Sequence, residues 1–368
     1  MSSRHHDTVP LWSWLFPSLA ALLLAAKFGG IVSPDAAPAQ LVAAILLFGA
    51  VFAAVHHAEV VALRLGEPFG SILLAVAVTV IEVGLIVSIL LSGVAGTEAV
   101  ARDTVFSAVM IVLNGVVGLC LVLGASQHRE QSFQLQGASA ALAVLAPLAV
   151  LALVLPDYTV HATGPYYSPV QLVFVAILSL VLYATFVFVQ TIRHRDYFLG
   201  VATEELAPLP DEGGRPSGRV IAASTVFLFV ALAAVVLLAK LLSHPLEDAI
   251  ALTGLPRTFI GIVIALLVLL PEGLASARAA IANRLQNSLN LALGSAIASI
   301  GLTIPVVAVV SLLSGQPLML GLGSENSVLL LLTLFITGLT LGTGTTTVLQ
   351  GVVYLVIFAV FLLLSAEP

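Results

Sequence analysis

Long apolar segments, separated by short polar breaks, make up almost the whole of this 368-residue chain. A helix needs about 20 apolar residues to cross a bilayer. Only 9% of the residues are charged, against roughly 25% in soluble domains. The segments are continuous, which excludes the alternating strands of a membrane β-barrel. The sequence therefore predicts an all-α membrane protein with eleven transmembrane helices, over residues 11–31, 39–63, 70–93, 104–125, 137–155, 169–192, 219–242, 257–281, 288–314, 326–342 and 345–365.

The basic residues are unevenly divided between the two sides of the membrane. With eleven spans, nine Lys and Arg residues lie on the side of the N-terminus: Arg4, Arg64, Arg129, Arg193, Arg195, Arg215, Arg219, Arg278 and Arg284. Lys27, Arg102, Lys240 and Arg257 lie opposite. This bias predicts a cytoplasmic N-terminus and a C-terminus on the far side. The first segment contains Trp12, Trp14 and Pro17 and no clear cleavage motif, so we expect a retained helix rather than a signal peptide.

The longest polar stretch divides the chain into two halves. We expect an extra N-terminal helix in residues 1–38, five helices in 39–192, a cytoplasmic loop in 193–218, and five more helices in 219–368. The loop is acidic, with Glu204, Glu205, Asp211 and Glu212, and either collects cations or serves as a solvated linker. Because five is odd, the second set of helices must be inverted relative to the first. Inverted repeats are typical of secondary transporters, which bind their substrates near the bilayer midplane.

One acidic residue lies in the second helix of each half. Glu82, in VTVIEVGLIVS, is the only charged residue between positions 70 and 93, and Glu272, in LVLLPEGLAS, is the only one between 258 and 277. An acidic residue at a helix centre costs roughly 2.5 to 3.5 kcal/mol on insertion scales. A single such residue could be a protonated packing contact. A symmetric pair favours a functional site at which both carboxylates bind a cation.

Carboxylate oxygens are ligands that calcium prefers. When the cation leaves, protons can take its place, because buried carboxylates without a counter-charge favour the neutral form. Pro271 has no N–H and so leaves the backbone carbonyl one turn earlier free to face an ion, although a proline at this place can equally serve only to kink the helix. Gly84 and Gly273 permit close helix approach. Neutral side chains on the third helix of each half are candidate ligands or packing groups: Asn114 and Ser299 first, then Ser295 and Thr303.

A further polar group lies towards the cytoplasmic end of the second segment. His56, His57 and Glu59 are a candidate proton relay towards Glu82, since histidine titrates near neutral pH. Hydration at the membrane interface explains these three residues almost as well.

Two stretches of the chain resemble the α-repeats of the calcium/cation antiporter superfamily, in particular the bacterial ChaA-type calcium/proton and sodium/proton antiporters. They are AEVVALRLGEPFGSILLAVAVTVIEV and PEGLASARAAIANRLQNSLNLALGSAIASIGLTIP. The resemblance covers the chain from about residue 40 and implies an inner-membrane location and a cation- and proton-binding role for Glu82 and Glu272. LGSAIAS resembles the family's site-lining segment, which implies that Gly294 supports Ser299.

The resemblance is incomplete at the positions before each glutamate. Many members carry Gly-Asn-Ala-x-Glu there, whereas Thr79 and Leu269 replace the two asparagines in this chain. Fewer polar side chains therefore surround the ion, and sodium and potassium are candidate substrates in addition to calcium. Thr79 is a further candidate cation ligand.

We therefore predict a secondary antiporter that exports Ca²⁺, and also Na⁺ or K⁺, in exchange for H⁺ by alternating access. A passive cation channel and an intramembrane enzyme are the alternatives, and neither a zinc-protease motif nor a Gly-x-Ser-x-Gly turn is present. We expect no cofactor beyond the transported ions, and no nucleic-acid partner. A second copy of the chain is a candidate partner.

Overall fold

A computed structural model describes residues 10–30, 37–66, 69–91, 97–161, 164–199 and 216–367. Within these ranges, eleven helices are long and apolar enough to cross a membrane, as the sequence predicts. The α-helices are α1 (Leu11–Phe28), α2 (Ala37–Leu65), α3 (Phe69–Leu90), α4 (Val100–Met110), α5 (Gly118–His128), α6 (Leu135–Ala149), α7 (Pro169–Phe188), α8 (Gly218–Thr253), α9 (Phe259–Ile281), α10 (Leu285–Ser314), α11 (Ser324–Leu341) and α12 (Val348–Ala366).

Three of the spanning helices contain a π-helical stretch. Ile111–Val117 joins α4 to α5 without a break, so that residues 97–128 form one span. Val150–Val154 and Val189–Arg193 extend α6 and α7. Short 3₁₀ turns are formed by Thr97–Ala99, Leu155–Tyr158 and Arg195–Phe198. Two-residue strands, β1 (Gln131–Ser132) and β2 (Thr345–Thr346), pair antiparallel.

The described residues fall into two compact units. Unit 1 comprises those within Met1–Val94 and Ala202–Ala249, and unit 2 those within Ala95–Val201 and Ile250–Pro368. Each unit therefore contains residues from before and after the polar loop. The predicted repeats at 39–192 and 219–368 are defined by the order and orientation of the helices, whereas the two units are defined by contacts within the fold. The repeats therefore stay a prediction.

Small residues let the helices of unit 1 pack closely. α1, α2 and α8 share a buried cluster of Ala20, Leu24, Ala43, Leu46, Ala234 and Leu238. Gly49 of α2 lies directly against the ring of Phe16 in α1, where no larger side chain fits without displacing the ring. Close approach at small residues is the usual basis of helix association in membranes, where lipid supplies no hydrophobic driving force.

In unit 2, glycines likewise allow α5 and α12 to pack closely. A Cβ atom at Gly118 would lie 2.8 Å from Cβ of Tyr354, and one at Gly351 would lie 2.8 Å from the backbone nitrogen of Val122. The ring of Phe361 packs edge-on against Phe106 of α4, with 5.5 Å between ring centroids. These contacts hold α12 against the span that contains α4 and α5.

Amide side chains tie together the turns at one end of unit 2. The backbone nitrogen of Gln134 donates to Oε1 of Gln286 at 2.6 Å, and Nε2 of Gln286 donates to Oδ1 of Asn290 at 2.8 Å. Nδ2 of Asn290 donates to the carbonyl of Phe198 at 2.5 Å. The segment after α7, predicted to be loop from residue 193, therefore begins with an ordered turn in which Phe198 is buried.

The predicted end of the seventh segment at residue 242 is wrong. α8 continues through Ser243, His244 and Pro245 to Thr253, and its 36 residues make it the longest described helix. Proline removes one backbone hydrogen bond without necessarily ending a helix, because neighbouring groups can satisfy the freed carbonyl. The acidic residues Glu204, Glu205, Asp211 and Glu212 lie outside the described residues.

Candidate functional site

Glu82 lies inside unit 1, on α3, with only 5% of its surface exposed. Two residues further along, a Cβ atom at Gly84 would lie 2.5 Å from Cγ2 of Val236 in α8. Ser88 donates to the carbonyl of Gly84 at 2.6 Å and lies 3.3 Å from the carbonyl of Val236. The close helix approach predicted for Gly84 is thus confirmed, and it places Glu82 in a tightly packed part of the unit.

Thr79, which replaces an asparagine of the family pattern, is buried one turn before Glu82. Its hydroxyl donates to the carbonyl of Ala75 at 2.8 Å. The hydroxyl proton is therefore used within α3, while the oxygen keeps a lone pair that can accept or bind a cation. Its role as a supplementary ligand stays a prediction.

Glu272 lies in unit 2, half-buried on α9, directly after Pro271. The hydroxyl of Ser295, on α10, donates a short hydrogen bond to Oε2 of Glu272. Ser295, a predicted neutral ligand ranked below Ser299, thus contacts this carboxylate. A Cβ atom at the neighbouring Gly294 would meet no atom within 4 Å, so open space borders the backbone beside Ser295.

The helix that carries Glu272 also lies close to the π-helical segment. A Cβ atom at Gly273 would lie 3.3 Å from Cγ2 of Val116, which confirms the close approach predicted there. Asn114, at the centre of Ile111–Val117, is fully buried in the same unit. π-Helical turns occur frequently at functional sites, because the extra residue in the turn re-aims a side chain.

Several buried oxygen atoms of unit 2 have no hydrogen-bond partner among the described residues. They include Oδ1 of Asn114 and the hydroxyl oxygens of Ser276 and Thr303. Ser276 lies one turn after Glu272, and Thr303 lies on α10 one turn after Ser299, which is also buried. Ser276 was not among the residues predicted from the sequence. Hard cations bind neutral oxygens of this kind together with carboxylates.

No cluster of three or more His, Cys, Asp or Glu side chains able to hold a metal ion is found within the part of the chain that the structure describes. Glu82 and Glu272 belong to different units, and their convergence on one site stays a prediction.

The two histidines of the predicted relay lie among aromatic rings in unit 1. His57 is fully buried, and its ring centroid is 5.0 Å from that of Trp14 and 5.7 Å from that of Phe227. His56 lies against Trp12 at 5.3 Å. Glu59 is exposed on the surface of α2. The relay function of these residues stays a prediction.

His57 also has a structural contact that the sequence analysis missed. Its Nε2 lies 3.0 Å from the carbonyl of Ser13 in α1. In a regular helix that carbonyl would accept from the residue four positions later, which is Pro17 and has no N–H. The imidazole N–H therefore satisfies a carbonyl that α1 cannot satisfy itself, and it links α1 to α2.

Replacing His57 by leucine is expected to lower the free energy of unfolding by about 1 to 3 kcal/mol, because a buried carbonyl loses its donor. His56→Leu is the matched control, since His56 Nε2 has no hydrogen-bond partner in the described structure. Thermal melting of the detergent-purified protein measures both. Equal melting temperatures for the two variants would contradict the structural role of His57.

Most of the chain matches the model of a known protein family. The model of the sodium/calcium exchanger protein family matches residues 37–192 and 223–366, which is most of the chain and includes both glutamates. The chain belongs to the sodium/calcium exchanger family. The predicted membership of the calcium/cation antiporter superfamily is thereby confirmed, and the family is one of cation exchangers rather than enzymes.

Two relatives match the exchanger over nearly its full length. It is 55% identical over 360 residues to y4hA of Sinorhizobium fredii, a candidate ionic transporter, covering 98% of this chain and 97% of the relative. It is 33% identical over 363 residues to the sodium-potassium/proton antiporter ChaA of Escherichia coli, covering 99% and 97%. Both relatives are bacterial, and the exchanger is a multi-span membrane protein.

Solved structures share its fold at low sequence identity. Native YfkE matches with a TM-score of 0.72 and 16% identity, over 97% of this chain and 100% of that one. The H⁺/Ca²⁺ exchanger CAX matches with a TM-score of 0.70 and 16% identity, over 95% and 87%. These likenesses support the predicted all-α transporter fold.

Proposed function

We propose that the exchanger exports Ca²⁺, Na⁺ or K⁺ from the bacterial cytoplasm across the inner membrane in exchange for entering protons. The observation that carries this proposal is Glu272, a carboxylate placed within an apolar helix and hydrogen-bonded by Ser295. A carboxylate in this setting can exchange a bound cation for a proton, because either one neutralises its charge.

Glu82 and Glu272 act in this proposal as the shared cation- and proton-binding groups. Ser295, Asn114 and Ser299 supply neutral oxygens, with Thr79 and the backbone at Gly294 in support. The polar environment is sparse, since Thr79 and Leu269 replace asparagines of the wider family. The similarity to ChaA, which is named as a sodium-potassium/proton antiporter, supports Na⁺ and K⁺ as substrates.

Inverted repeats around the two glutamates would let the site open to one side of the membrane at a time. A cation bound from the cytoplasm would leave on the far side, and protons would return on the same carboxylates. The N-terminus lies in the cytoplasm in this arrangement, and the C-terminus lies opposite. The proton gradient supplies the energy.

The proposal is tested in proteoliposomes with an imposed pH gradient and a pH-sensitive dye inside. Addition of CaCl₂, NaCl or KCl is expected to dissipate the gradient, while choline chloride is not. The order of the three half-maximal concentrations then gives the substrate preference. Absence of any response to all three cations would overturn the proposal.

A further inference from the structure

The side-chain amide of Asn114 is held by a residue outside both glutamate helices. Its Nδ2 donates to Oγ1 of Thr333, on α11, at 3.0 Å. Both side chains are fully buried in unit 2. The same Thr333 hydroxyl lies 3.6 Å from Sδ of Met110, one turn before Asn114. The donor half of the amide therefore has a fixed partner.

The acceptor half of the same amide is left open. Oδ1 of Asn114 is buried and has no hydrogen-bond partner among the described residues. Native interiors contain few such oxygens, and each one requires an explanation such as an ion or a water molecule. A carbonyl oxygen is a ligand for Ca²⁺ and other hard cations.

The backbone around Asn114 lies close to the helix that carries Glu272. A Cβ atom at Gly273 would lie only 3.3 Å from Cγ2 of Val116, two residues after Asn114 in the π-helical segment. A Cβ atom at Gly115 would lie 3.3 Å from the ring of Phe358 in α12. The residues that directly follow Asn114 are therefore packed against both α9 and α12, which limits movement of the π-helical turn.

We propose that Thr333 is a positioning residue for cation binding: by accepting the Asn114 N–H, it keeps the Asn114 carbonyl oxygen turned to receive the transported cation. This inference rests on the proposed function and extends it to α11. The oxygen and nitrogen of an asparagine amide have nearly the same shape, so only hydrogen bonding decides which of them faces a ligand. Without the Thr333 acceptor, the amide can present its N–H to the cation, which repels it.

Thr333→Val keeps the shape of the side chain and removes the acceptor. The half-maximal concentration of Na⁺ or Ca²⁺ for transport is expected to rise about fivefold to tenfold, the range for loss of one oriented hydrogen bond. The maximal rate should change by less than about twofold. Thr333→Ser restores the acceptor and should recover the affinity. Thr337→Val is the matched control, because Thr337 lies one turn away on α11, is buried, and donates to the backbone carbonyl of Thr333.

A double-mutant cycle shows whether Thr333 acts through Asn114. Asn114→Leu should weaken cation affinity, and adding Thr333→Val to it should cause no further loss. The inference is overturned if Thr333→Val behaves like Thr337→Val, or if the two losses of affinity multiply.

Cation binding is also measured without transport, as the NaCl or CaCl₂ concentration that half-maximally raises the melting temperature of each purified variant. A shifted midpoint in Thr333→Val together with no proton-coupled flux in the wild type would sustain the positioning role and reject the proposed antiport. Proton-coupled flux with an unshifted midpoint would reject the positioning role alone. If no cation stabilises the wild type, the positioning role is rejected.

Discussion

Glu272→Gln is expected to abolish cation/proton exchange while the protein still folds. The amide keeps the size of the side chain and can still accept from Ser295, whose hydroxyl contacts Glu272 in the wild type. It carries no charge and takes up no proton at neutral pH. Loss of one charged ligand should weaken cation binding by about 10- to 150-fold, on a contribution of roughly 1.5 to 3 kcal/mol. Proton coupling at this position is lost altogether.

Glu82→Gln should have the same effect, because the proposal gives both glutamates one role. Glu325→Gln is the control, since Glu325 is an exposed carboxylate in the first turn of α11. Initial rates in proteoliposomes and melting temperatures in detergent measure activity and folding separately. Transport at the wild-type rate by either Glu82→Gln or Glu272→Gln would contradict the assignment of that residue.

Arg102→Met is expected to cause a large loss of stability in unit 2. Nε of Arg102 lies 2.7 Å from Oδ1 of Asp103, and the two side chains are only 14% and 11% exposed. Nη1 of Arg102 also donates to the carbonyl of Gly321 at 3.0 Å. Removing one partner of a buried ion pair leaves an uncompensated charge and costs about 3 to 5 kcal/mol.

The double variant Arg102→Met/Asp103→Asn removes both charges and should regain most of that stability. Arg278→Gln, at an exposed position of α9, controls for the loss of a positive charge. Melting temperatures of the four proteins measure the effect. A single variant that melts with the wild type, or a double variant that melts well below the single one, would contradict the role of the pair.

The number and type of the helices could be predicted because the bilayer restricts the alternatives. Continuous apolar segments can only become helices there, since each backbone group needs an internal partner. The same reasoning placed the end of α8 too early. Pro245 looks like a break in the sequence, but it lies inside α8 in the structure, where packing rather than local preference decides.

The placement of Glu82 and Glu272 inside membrane-spanning helices could be predicted, because a single charge within a long apolar segment is visible in the sequence. Their role as a cation site stays a prediction. The uncharged side chains that lie near the glutamates were harder to predict. Serine and threonine are common at helix contacts, and the sequence pattern ranked Ser299 above Ser295 without showing that Ser295 contacts Glu272. The bond between Asn114 and Thr333 joins residues 219 positions apart, a separation at which one sequence gives no signal.

Local rules could have predicted one contact that was missed. Pro17 cannot donate to Ser13, so a buried carbonyl near residue 13 needed a donor from another helix. The sequence shows that need without showing that His57 meets it. The π-helical turn at Ile111–Val117 has no such sequence signal, since the pattern LNGVVG also suits a regular α-helix.

Simultaneous recording of cation and proton flux in the same proteoliposomes tests the shared carboxylate site most directly. With the membrane voltage held at zero, outward cation flux should be accompanied by inward proton flux at a fixed ratio, and both should vanish together in Glu272→Gln. Cation flux that persists without a pH gradient, follows the applied voltage and carries no protons would contradict antiport and indicate a channel.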